Sequence, residues 1–339
     1  MALFQFAKDK RYDAVGFGTN AVDFLIEVPQ YPQFNSKVEL SNYAQMAGGE
    51  AASTMAGLQR LGLTTAYAGR FGDDAAADIG IASLVEAGVD TRFAERISGA
   101  ATQIAFIIVD EASGERTVIW KRDKKLAYSA EDAPLDAARE CRVLHITPHD
   151  TAACIAMARA AKEAGAYVSI DIDNIFDGTE DLLPLIDIFV ASADFPERLT
   201  GIADLKEALL SLSEKYGFKI ACATLGESGS ILLAEDKFVE TAGFAVPGGC
   251  VDTTGAGDAF RAGLLYGLLS EASIEDAAAY ANAVAALKCR RLGARSALPT
   301  KQELLTLLKK LDVPDILVLQ SVGTSPCPFC ENPHSQPSN

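Results

Sequence analysis

The stretch VDTTGAGDAFRAGLLYGLL, residues 251–269, places Asp258 directly after a glycine-rich turn, at the start of an apolar helical segment. Gly255 and Gly257 permit a loop whose backbone N–H groups point inward at the helix start. The first N–H groups of a helix lack partners and its dipole is positive there, so the loop predicts an anion site. Asp258 is then free to accept the proton of a hydroxyl as a general base. A helix-capping aspartate is the simpler alternative.

The same helical segment has a stripe of small residues. Ala259, Gly263 and Gly267 recur at every fourth position. A glycine inside a helix costs about 1 kcal/mol relative to alanine. The stripe therefore predicts close packing of this helix against a sheet or against a nucleotide.

The composition is typical of a folded protein that binds small molecules. Of 339 residues, 49% are apolar and 22% are charged, which is near the globular average. The 30 Lys plus Arg against 46 Asp plus Glu give a net charge of -16, which repels nucleic acid and anionic membranes. No apolar run reaches about 20 residues and no signal peptide is recognised. We expect a cytoplasmic protein with neither nucleic acid nor membrane as a partner.

Short β-rich runs alternate with alanine-rich helical segments. Strands are predicted at DAVGFG (13–18), TTAYAG (64–69), RVLHIT (142–147), YVSIDI (167–172), DIFVAS (187–192) and KIACATL (219–225). Helical spacing marks 50–61, 74–87, 151–165 and 203–216. This alternation predicts an α/β fold with a parallel sheet covered on both faces. Segments 22–45 and 101–125 alternate or form hairpins instead, and they predict a small β lid.

The first predicted strand is followed by a motif that resembles a dinucleotide site. Gly16, Gly18 and Ala21 fit G-x-G-x-x-A, but that motif requires a helix next. The following residues alternate as far as Pro29, which favours a second strand and disfavours a dinucleotide site. Asp23 then lies just beyond the first strand, where open α/β sheets bind ligands. A ligand-binding role and a turn-capping role for Asp23 are equally open.

Gly48 and Gly49 precede a second helical segment that begins mostly with small residues. They could let a ligand approach the backbone N–H groups at the helix start. They could equally form a flexible joint between the lid and the helix.

Together these motifs resemble the ribokinase-like (PfkB) carbohydrate kinases. DTTGAGDAF (252–260) is similar to the second signature of that family, and AGGEAASTMAGLQRLGLTTAYAGRFGDD (47–74) is similar to the first. TLGESG (224–229) and ANAVAALKCRRLGA (281–294) extend the resemblance over residues from about 12 to 310. It implies a three-layer αβα sandwich with a small β-sheet lid, as one kinase domain over 12–312.

The resemblance also implies a function: ATP-dependent phosphorylation of a sugar hydroxyl with Mg²⁺, by a homodimer formed through the lid. By motif position, the catalytic residues are Asp258 as base and Gly255, Ala256 and Gly257 as anion hole. The sugar-binding residues are Asp23, Gly48, Gly49 and Ser53. The nucleotide-binding residues are Thr224, Gly226, Gly229 and Asn282. Asp252 and Thr254 match positions that in some members help to hold a monovalent cation such as K⁺.

Two departures from the family pattern concern substrate and metal. Many ribose-specific members read GGKGAN where this chain reads GGEAAS, so Glu50 replaces a lysine and Ser53 replaces the asparagine that contacts the sugar. The family's N-x-x-E metal motif falls on Ser192 and Phe195. Mg²⁺ must then be positioned by other groups. Water, phosphates and one or two carboxylates suffice as its ligands.

The acceptor is accordingly predicted to be a sugar or sugar acid, with ribose itself in doubt. A nucleoside kinase of the same fold and a noncatalytic sugar-binding regulator are the alternatives.

Two side chains near the predicted site each allow two roles. Arg261 could face phosphate or be a surface cation. Trp120 could stack on a sugar or anchor the lid, and the anchoring role is favoured.

The C-terminal segment contains CPFCENPH, with C-x-x-C and a histidine as three potential zinc ligands. No fourth ligand stands nearby, and the flanking residues are rich in Pro, Ser and Asn. A disordered tail over residues 320–339 is therefore predicted.

Overall fold

The computed structural model describes residues 3–310. Its strands are β1 (Tyr12–Phe17), β2 (Ala21–Val28), β3 (Asn42–Gly48), β4 (Thr65–Phe71), β5 (Asp90–Arg96), β6 (Ile104–Asp110), β7 (Arg116–Lys121), β8 (Cys141–Ile146), β9 (Tyr167–Ile172), β10 (Ile188–Ser192), β11 (Ile220–Thr224), β12 (Ser230–Ala234) and β13 (Lys237–Thr241). Its helices are α1 (Glu50–Arg60), α2 (Ala75–Ala87), α3 (Leu135–Arg139), α4 (Thr151–Glu163), α5 (Thr179–Leu182), α6 (Phe195–Thr200), α7 (Leu205–Tyr216), α8 (Ala256–Leu269), α9 (Ile274–Lys288) and α10 (Lys301–Lys310).

A nine-stranded sheet forms the centre of the described region, in the order β13-β12-β11-β10-β9-β8-β1-β4-β5. The strands from β11 through β1 to β5 in this order run parallel to one another. Strands β12 and β13 are added at one edge in antiparallel orientation. The six strands predicted from the sequence are β1, β4 and β8 to β11, so these predictions are confirmed.

Helices cover both faces of this sheet, because both faces of its strands are apolar. On β8, Val143 packs into a core with α1, α2, α8 and α9, whereas the next residue, Leu144, packs into a second core with α3, α4 and α7. Successive side chains of a strand point to opposite faces. The resulting three-layer αβα sandwich confirms the predicted fold class.

A smaller four-stranded sheet has the order β3-β2-β6-β7. Strand β2 is antiparallel to β3 and parallel to β6, and β6 forms a hairpin with β7. These strands overlap the two segments that were predicted to form the lid. The limits 12–312 for one kinase domain remain a prediction, and the predicted tail with its CPFC motif lies outside the described residues.

The stripe of small residues on α8 packs against a helix. A Cβ atom on Gly263 would lie 2.7 Å from the Cα of Ala281, and one on Gly267 would lie 2.6 Å from the Cα of Ala277. Both alanines belong to α9. The prediction of a sheet or nucleotide partner was therefore wrong, because the spacing shows that two backbones approach closely but does not show which element approaches.

The order of the strands predicts a crevice at the carboxyl end of β1. Strands β4 and β5 lie on one side of β1, and β8 to β13 lie on the other. At such a change of direction, the loops beyond the carboxyl ends of neighbouring strands diverge and leave a crevice. Within residues 3–310, no helix is both long and apolar enough to cross a lipid bilayer.

Candidate active site

A cleft of about 1370 Å³ lies at this edge of the large sheet, between it and the small sheet. Most of the predicted site residues line it: Asp23, Gly49, Thr224, Gly226, Gly229, Thr254, Gly255, Ala256, Gly257, Asp258 and Asn282. Gly48, Ser53 and Asp252 are not among the lining residues. Segments more than 200 residues apart in sequence thus meet in one cavity.

Asp258 lies in the first turn of α8 and is half-buried in the cleft wall. The N-cap residue of this helix is Gly255, whose φ of 77° is left-handed and whose Cβ, if present, would collide with Ala294. Asp258 is therefore not the N-cap residue, and the helix start has no side-chain cap. Its carboxylate is not needed to begin the helix.

The backbone N–H groups around the helix start differ in availability. Ala256 N–H donates to the carbonyl oxygen of Thr253 at 3.0 Å. Gly255 and Gly257 N–H have no hydrogen-bond acceptor among residues 3–310. Unpaired N–H groups at the positive end of a helix favour an anion. Two of the three residues predicted for the anion hole therefore keep a free donor in this structure.

Burial raises the pKa of Asp258 above that of an ordinary aspartate. Arg261, Arg116, Arg295 and Lys288 oppose this effect through their positive charges. Removal from water therefore dominates over these charges. A raised pKa makes a carboxylate a stronger proton acceptor once it is ionised.

Arg261 is buried, and its Nη2 binds protein partners, whereas its Nε has no hydrogen-bond partner among residues 3–310. Its Nη2 lies 2.5 Å from Asp171 Oδ1 and 3.2 Å from the carbonyl oxygen of Val190. It therefore joins α8 to the ends of two central strands and is not a surface cation. Its side chain still lines the cleft, one turn after Asp258.

Asp23 lies at the start of β2, in contact with the glycine pair before α1. It is 4% exposed, and burial raises its pKa to about 7, which the charge of Arg295 opposes. A Cβ at Gly48 would lie 2.0 Å from Asp23 Oδ2. Glycine is therefore required at position 48 to leave room for the carboxylate, and the neighbouring Gly49 lines the cleft itself.

Arg295, which does not itself line the cleft, supports the residues beside it and was missed by the sequence analysis. Its Nε donates to Ser53 Oγ at 3.1 Å, and other guanidinium N–H groups donate to the carbonyl oxygen of Gly48 and to Ser83 Oγ. Burial lowers the pKa of Arg295 to about 10, so it remains a cation at neutral pH. Ser53 is fully buried and supports Arg295 from behind the cleft. Arg295 directly follows the motif at 281–294. Its small neighbours were the only sequence signal that could have indicated a role near the site.

The predicted nucleotide residues lie together at the other end of the cleft. Gly226 and Gly229 form a turn after β11, and a Cβ at Gly229 would lie 2.0 Å from the carbonyl oxygen of Thr241. Asn282 on α9 uses its amide nitrogen within the protein, donating to Ser230 Oγ at 2.8 Å and to the carbonyl oxygen of Ala278 at 2.9 Å. Asn282 also lines the cleft.

Asp252 and Thr254 precede the helix start. Asp252 is fully buried, and its carboxylate accepts hydrogen bonds from Thr254 N–H at 2.8 Å and Gly293 N–H at 2.7 Å. Its carbonyl oxygen accepts a hydrogen bond from Lys288 Nζ at 2.8 Å. These oxygens are already engaged, and a lysine ammonium lies among them. Asp252 therefore does not fit the predicted monovalent cation, whereas the buried hydroxyl of Thr254 has no hydrogen-bond partner among residues 3–310.

The carboxylates near Asp258 differ in what they can still bind. Asp171 is paired with Arg261, and Glu50 accepts a hydrogen bond from Thr19 Oγ1 at 2.9 Å. Asp173 is exposed on the cleft wall, and its carboxylate has no ion pair among residues 3–310. This part of the chain holds no group of three acidic, His or Cys side chains that could ligate a metal alone. Asp173 fits a Mg²⁺ ion that takes its remaining ligands from phosphate and water.

The two positions of the N-x-x-E motif have other roles here. Ser192 lines the cleft and donates to Asp194 Oδ1 at 2.7 Å. Phe195 is fully buried in the core. Neither can act as a carboxylate ligand.

An aromatic group forms one wall of the cleft beneath the small sheet. The ring centroids of Trp120 and His149 are 5.7 Å apart, and those of His149 and Phe176 are 5.1 Å apart. All three residues line the cleft. Trp120 is 54% exposed, and its contact with His149 joins β7 of the small sheet to the segment before α4. Stacking on a sugar and anchoring of the lid both remain predictions for this side chain.

The small sheet touches the loop before α8 directly. Thr253 Oγ1 donates to the carbonyl oxygen of Gly114 at 3.1 Å, and Arg116 Nη1 donates to Thr253 Oγ1 at 2.9 Å. Gly114 lies in the turn between β6 and β7. The hairpin tip is thereby hydrogen-bonded to the residues that lead into the predicted anion site.

Comparison with known proteins identifies the class. The family description "pfkB family carbohydrate kinase" matches residues 14–301. Fructokinase-1 of Zea mays is 30% identical over 322 residues, covering 87% of this chain and 97% of that protein. A nucleoside kinase of Methanothermobacter thermautotrophicus is 24% identical over 305 residues, covering 86% and 94%.

The fold comparison agrees with the sequence comparison. The structure of Arabidopsis thaliana ribokinase complexed with ribose and ATP superposes with a TM-score of 0.75 at 25% identity, covering 88% of this chain and 99% of that one. The chain belongs to the pfkB family of carbohydrate kinases. The predicted resemblance and the predicted enzyme class are confirmed.

Proposed function

We propose that this protein is an ATP-dependent sugar kinase that transfers the γ-phosphoryl group to a hydroxyl of a sugar or sugar acid. One observation carries the proposal: Asp258 and the free N–H groups of Gly255 and Gly257 share one cleft with Asp23. A proton acceptor, an anion site and a buried hydroxyl acceptor are the groups that such a transfer requires.

In the proposed reaction, Asp23 binds hydroxyl groups of the acceptor and holds one of them towards Asp258. The oxygen of that hydroxyl forms a bond to the γ-phosphorus while its proton passes to Asp258. The bond between the γ-phosphorus and the bridging oxygen breaks, and the electron pair stays on ADP. Gly255 and Gly257 N–H stabilise the charge on the transferring group.

The nucleotide would lie along the β11 end of the cleft. Thr224, Gly226 and Gly229 would hold phosphates and ribose, and Asn282 would lie beside the adenine. ATP is supported by the family and by the ATP bound to the Arabidopsis ribokinase. Bound with ATP, Mg²⁺ neutralises charge on the phosphate oxygens, and Asp173 is the residue that would hold it.

The charges around Asp258 favour an uncharged acceptor. Glu50, Asp171 and Asp173 line the same region of the cleft. Burial raises the pKa of Glu50, and the negative charges of Asp171, Asp173 and Asp258 raise it further. A second anion on the acceptor would meet repulsion there. Arg116 offers compensation at the lid side, which keeps sugar acids within the proposed range and makes sugar phosphates poorer acceptors.

A nucleoside kinase is the second candidate, and the aromatic wall favours it. Trp120, His149 and Phe176 present ring surfaces on the acceptor side of the cleft. Aromatic surfaces stack on nucleobases at about 1–3 kcal/mol per base. A sugar can also use such a wall through its apolar face, so the acceptor panel must include both classes.

We also propose a homodimer formed through the small sheet. Its outer face is apolar: Phe24 stacks on Phe106 with ring centroids 5.0 Å apart, and Tyr43 and Ile119 are 52% and 57% exposed. A contiguous exposed apolar patch of this kind marks an interaction surface.

The test is a coupled assay of ADP release with Mg²⁺ and ATP, across free sugars, sugar acids, nucleosides and sugar phosphates. At least one sugar or sugar acid should raise ADP release well above background. A nucleoside preference would select the second candidate. If no acceptor works while ATP still binds by calorimetry, a noncatalytic sugar-binding role replaces both.

A further inference from the structure

Lys288, the last residue of α9, is a fully buried lysine. Its Nζ donates to the carbonyl oxygen of Asp252 at 2.8 Å and lies 3.8 Å from Asp252 Oδ2. Taking an ammonium group out of water is costly unless it is paired and hydrogen-bonded. Packing alone therefore does not explain a lysine at this position.

The partner of Lys288 organises the loop that leads into α8. The two carboxylate oxygens of Asp252 accept from Thr254 N–H and from Gly293 N–H. Asp252 thereby ties the residue before Gly255 to the loop that follows α9. Gly255 packs against the same loop, because its Cβ would lie 2.8 Å from the Cα of Ala294.

The charge of Lys288 also acts on the reactive carboxylates. Its positive charge opposes the increase in the pKa of Asp258 and of Asp23. Burial lowers the pKa of Lys288, and the charge of Asp252 opposes that decrease. Asp252 thus helps to keep the lysine protonated.

We propose that the Lys288 ammonium is a built-in substitute for the monovalent cation, positioning the Asp252–Thr254 loop so that phosphoryl transfer by this chain needs no K⁺. A single fixed positive charge lies against the carbonyl and carboxylate oxygens of Asp252, which a cation at this position would require. A K⁺ ion added there would meet the repulsion of Lys288 and find Asp252 already bonded. Lys288 is thus a positioning residue, and this role rests on the proposed kinase function.

The first test uses the unmodified protein and needs no variant. ADP release and thermal unfolding are measured in KCl, NaCl, NH₄Cl and tetramethylammonium chloride at equal ionic strength, with magnesium constant. Rates should agree within about twofold, and the Tm should show no K⁺-specific increase. A rate that is K⁺-specific by fivefold or more, or a clear K⁺-specific rise in Tm, would overturn the proposal.

The second test removes the ammonium with Lys288→Ala and uses Lys215→Ala as a matched control. Lys215 is exposed and pairs with Glu180, and neither residue lines the cleft. Lys288→Ala should lower kcat about 100-fold with little change in KM for ATP, and K⁺ or NH₄⁺, but not tetramethylammonium, should restore part of the loss. The control should stay at the unmodified rate in every salt.

The thermal measurement distinguishes failure of this proposal from failure of the kinase assignment. Even without any accepted substrate, Lys288→Ala should gain a Tm increase specific to K⁺ or NH₄⁺. A folded variant that keeps full activity without these cations would overturn the proposal. So would an inactive variant that no cation rescues or stabilises. If Lys288→Ala does not fold, Lys288→Met is used, and the salt series on the unmodified protein still decides.

Discussion

The guanidinium group of Arg261 lies 2.5 Å from the carboxylate of Asp171, both side chains being less than 10% exposed. This ion pair fixes α8, which carries Asp258, to the end of β9. Removing one partner of a buried pair typically costs about 3–5 kcal/mol, because the other charge is left uncompensated.

The first prediction follows from this pair. Arg261→Leu should lower the free energy of unfolding by about 3–5 kcal/mol, and adding Asp171→Leu should recover a large part of the loss. Urea unfolding of both single variants and the double variant checks the coupling. Additive losses would show that the two side chains act independently.

The second prediction concerns the base. Asp258→Asn keeps the size of the side chain but cannot accept a proton, so kcat should fall by roughly 10²–10⁴ with KM almost unchanged. Asp204→Asn is the matched control, because Asp204 caps α7 through a bond from Glu207 N–H at 2.9 Å. It should lose stability only. Near-normal turnover in Asp258→Asn would exclude general-base catalysis by this carboxylate.

The third prediction concerns hydroxyl binding. Asp23→Ala removes an acceptor that serves the ground state and the transition state alike, so KM for the acceptor should rise by a factor equivalent to about 1.5–3 kcal/mol. ATP affinity measured without acceptor should not change. Glu27→Ala, on the same strand but at the surface with Asn42, should leave KM as it is. An unchanged KM in Asp23→Ala would remove Asp23 from the acceptor site.

The fourth prediction concerns pH. The pKa of Asp23 is about 7 in the folded protein against 3.8 normally, so between these values the folded state binds more protons than the unfolded state. The stability from this group is therefore complete below about pH 4 and is lost as pH rises through 7, up to about 4 kcal/mol.

Urea unfolding at pH 5 and pH 8 checks this prediction on the protein without ligands. The unmodified protein should lose more stability over this interval than Asp23→Asn, which has no carboxylate to ionise. Equal losses in the two proteins would mean that the environment of Asp23 does not penalise its charge.

The fifth prediction concerns the outer face of the small sheet. Phe106 is 42% exposed and pairs across the sheet with Phe24 and Ile119. Phe106→Glu should convert a dimer to a monomer in sedimentation equilibrium. Val85→Glu, at an exposed position of α2, should leave the dimer intact. An unmodified protein that is monomeric at micromolar concentration would contradict the proposed interface.

Much of the fold could be predicted, because the signals are local. The apolar β-rich runs at β1, β4 and β8 to β11 and the helical spacing between them depend only on neighbouring residues. The partner of the glycine stripe could not be predicted, since Gly263 meets Ala281 through a turn whose geometry the sequence does not state.

The candidate site divides in the same way. Asp258 and its glycines stand in one contiguous motif. The motif marks the start of α8, so the sequence alone indicates where an anion would bind. Lys288 and Arg295 belong to a basic stretch, 288–295, in which the sequence does not distinguish one cation from another, and their roles depend on contacts 36 and 242 residues away. The sequence records the charge of such residues but not the partner that makes its burial tolerable.

The hydrogen bonds of Thr253 to the hairpin at Gly114 and Arg116 tie the small sheet to the loop before α8. Any movement of the small sheet away from the large one would break these bonds and withdraw support from the residues before Gly255. The cover of the cleft and the start of α8 are therefore mechanically coupled, so that a displacement of one acts on the other.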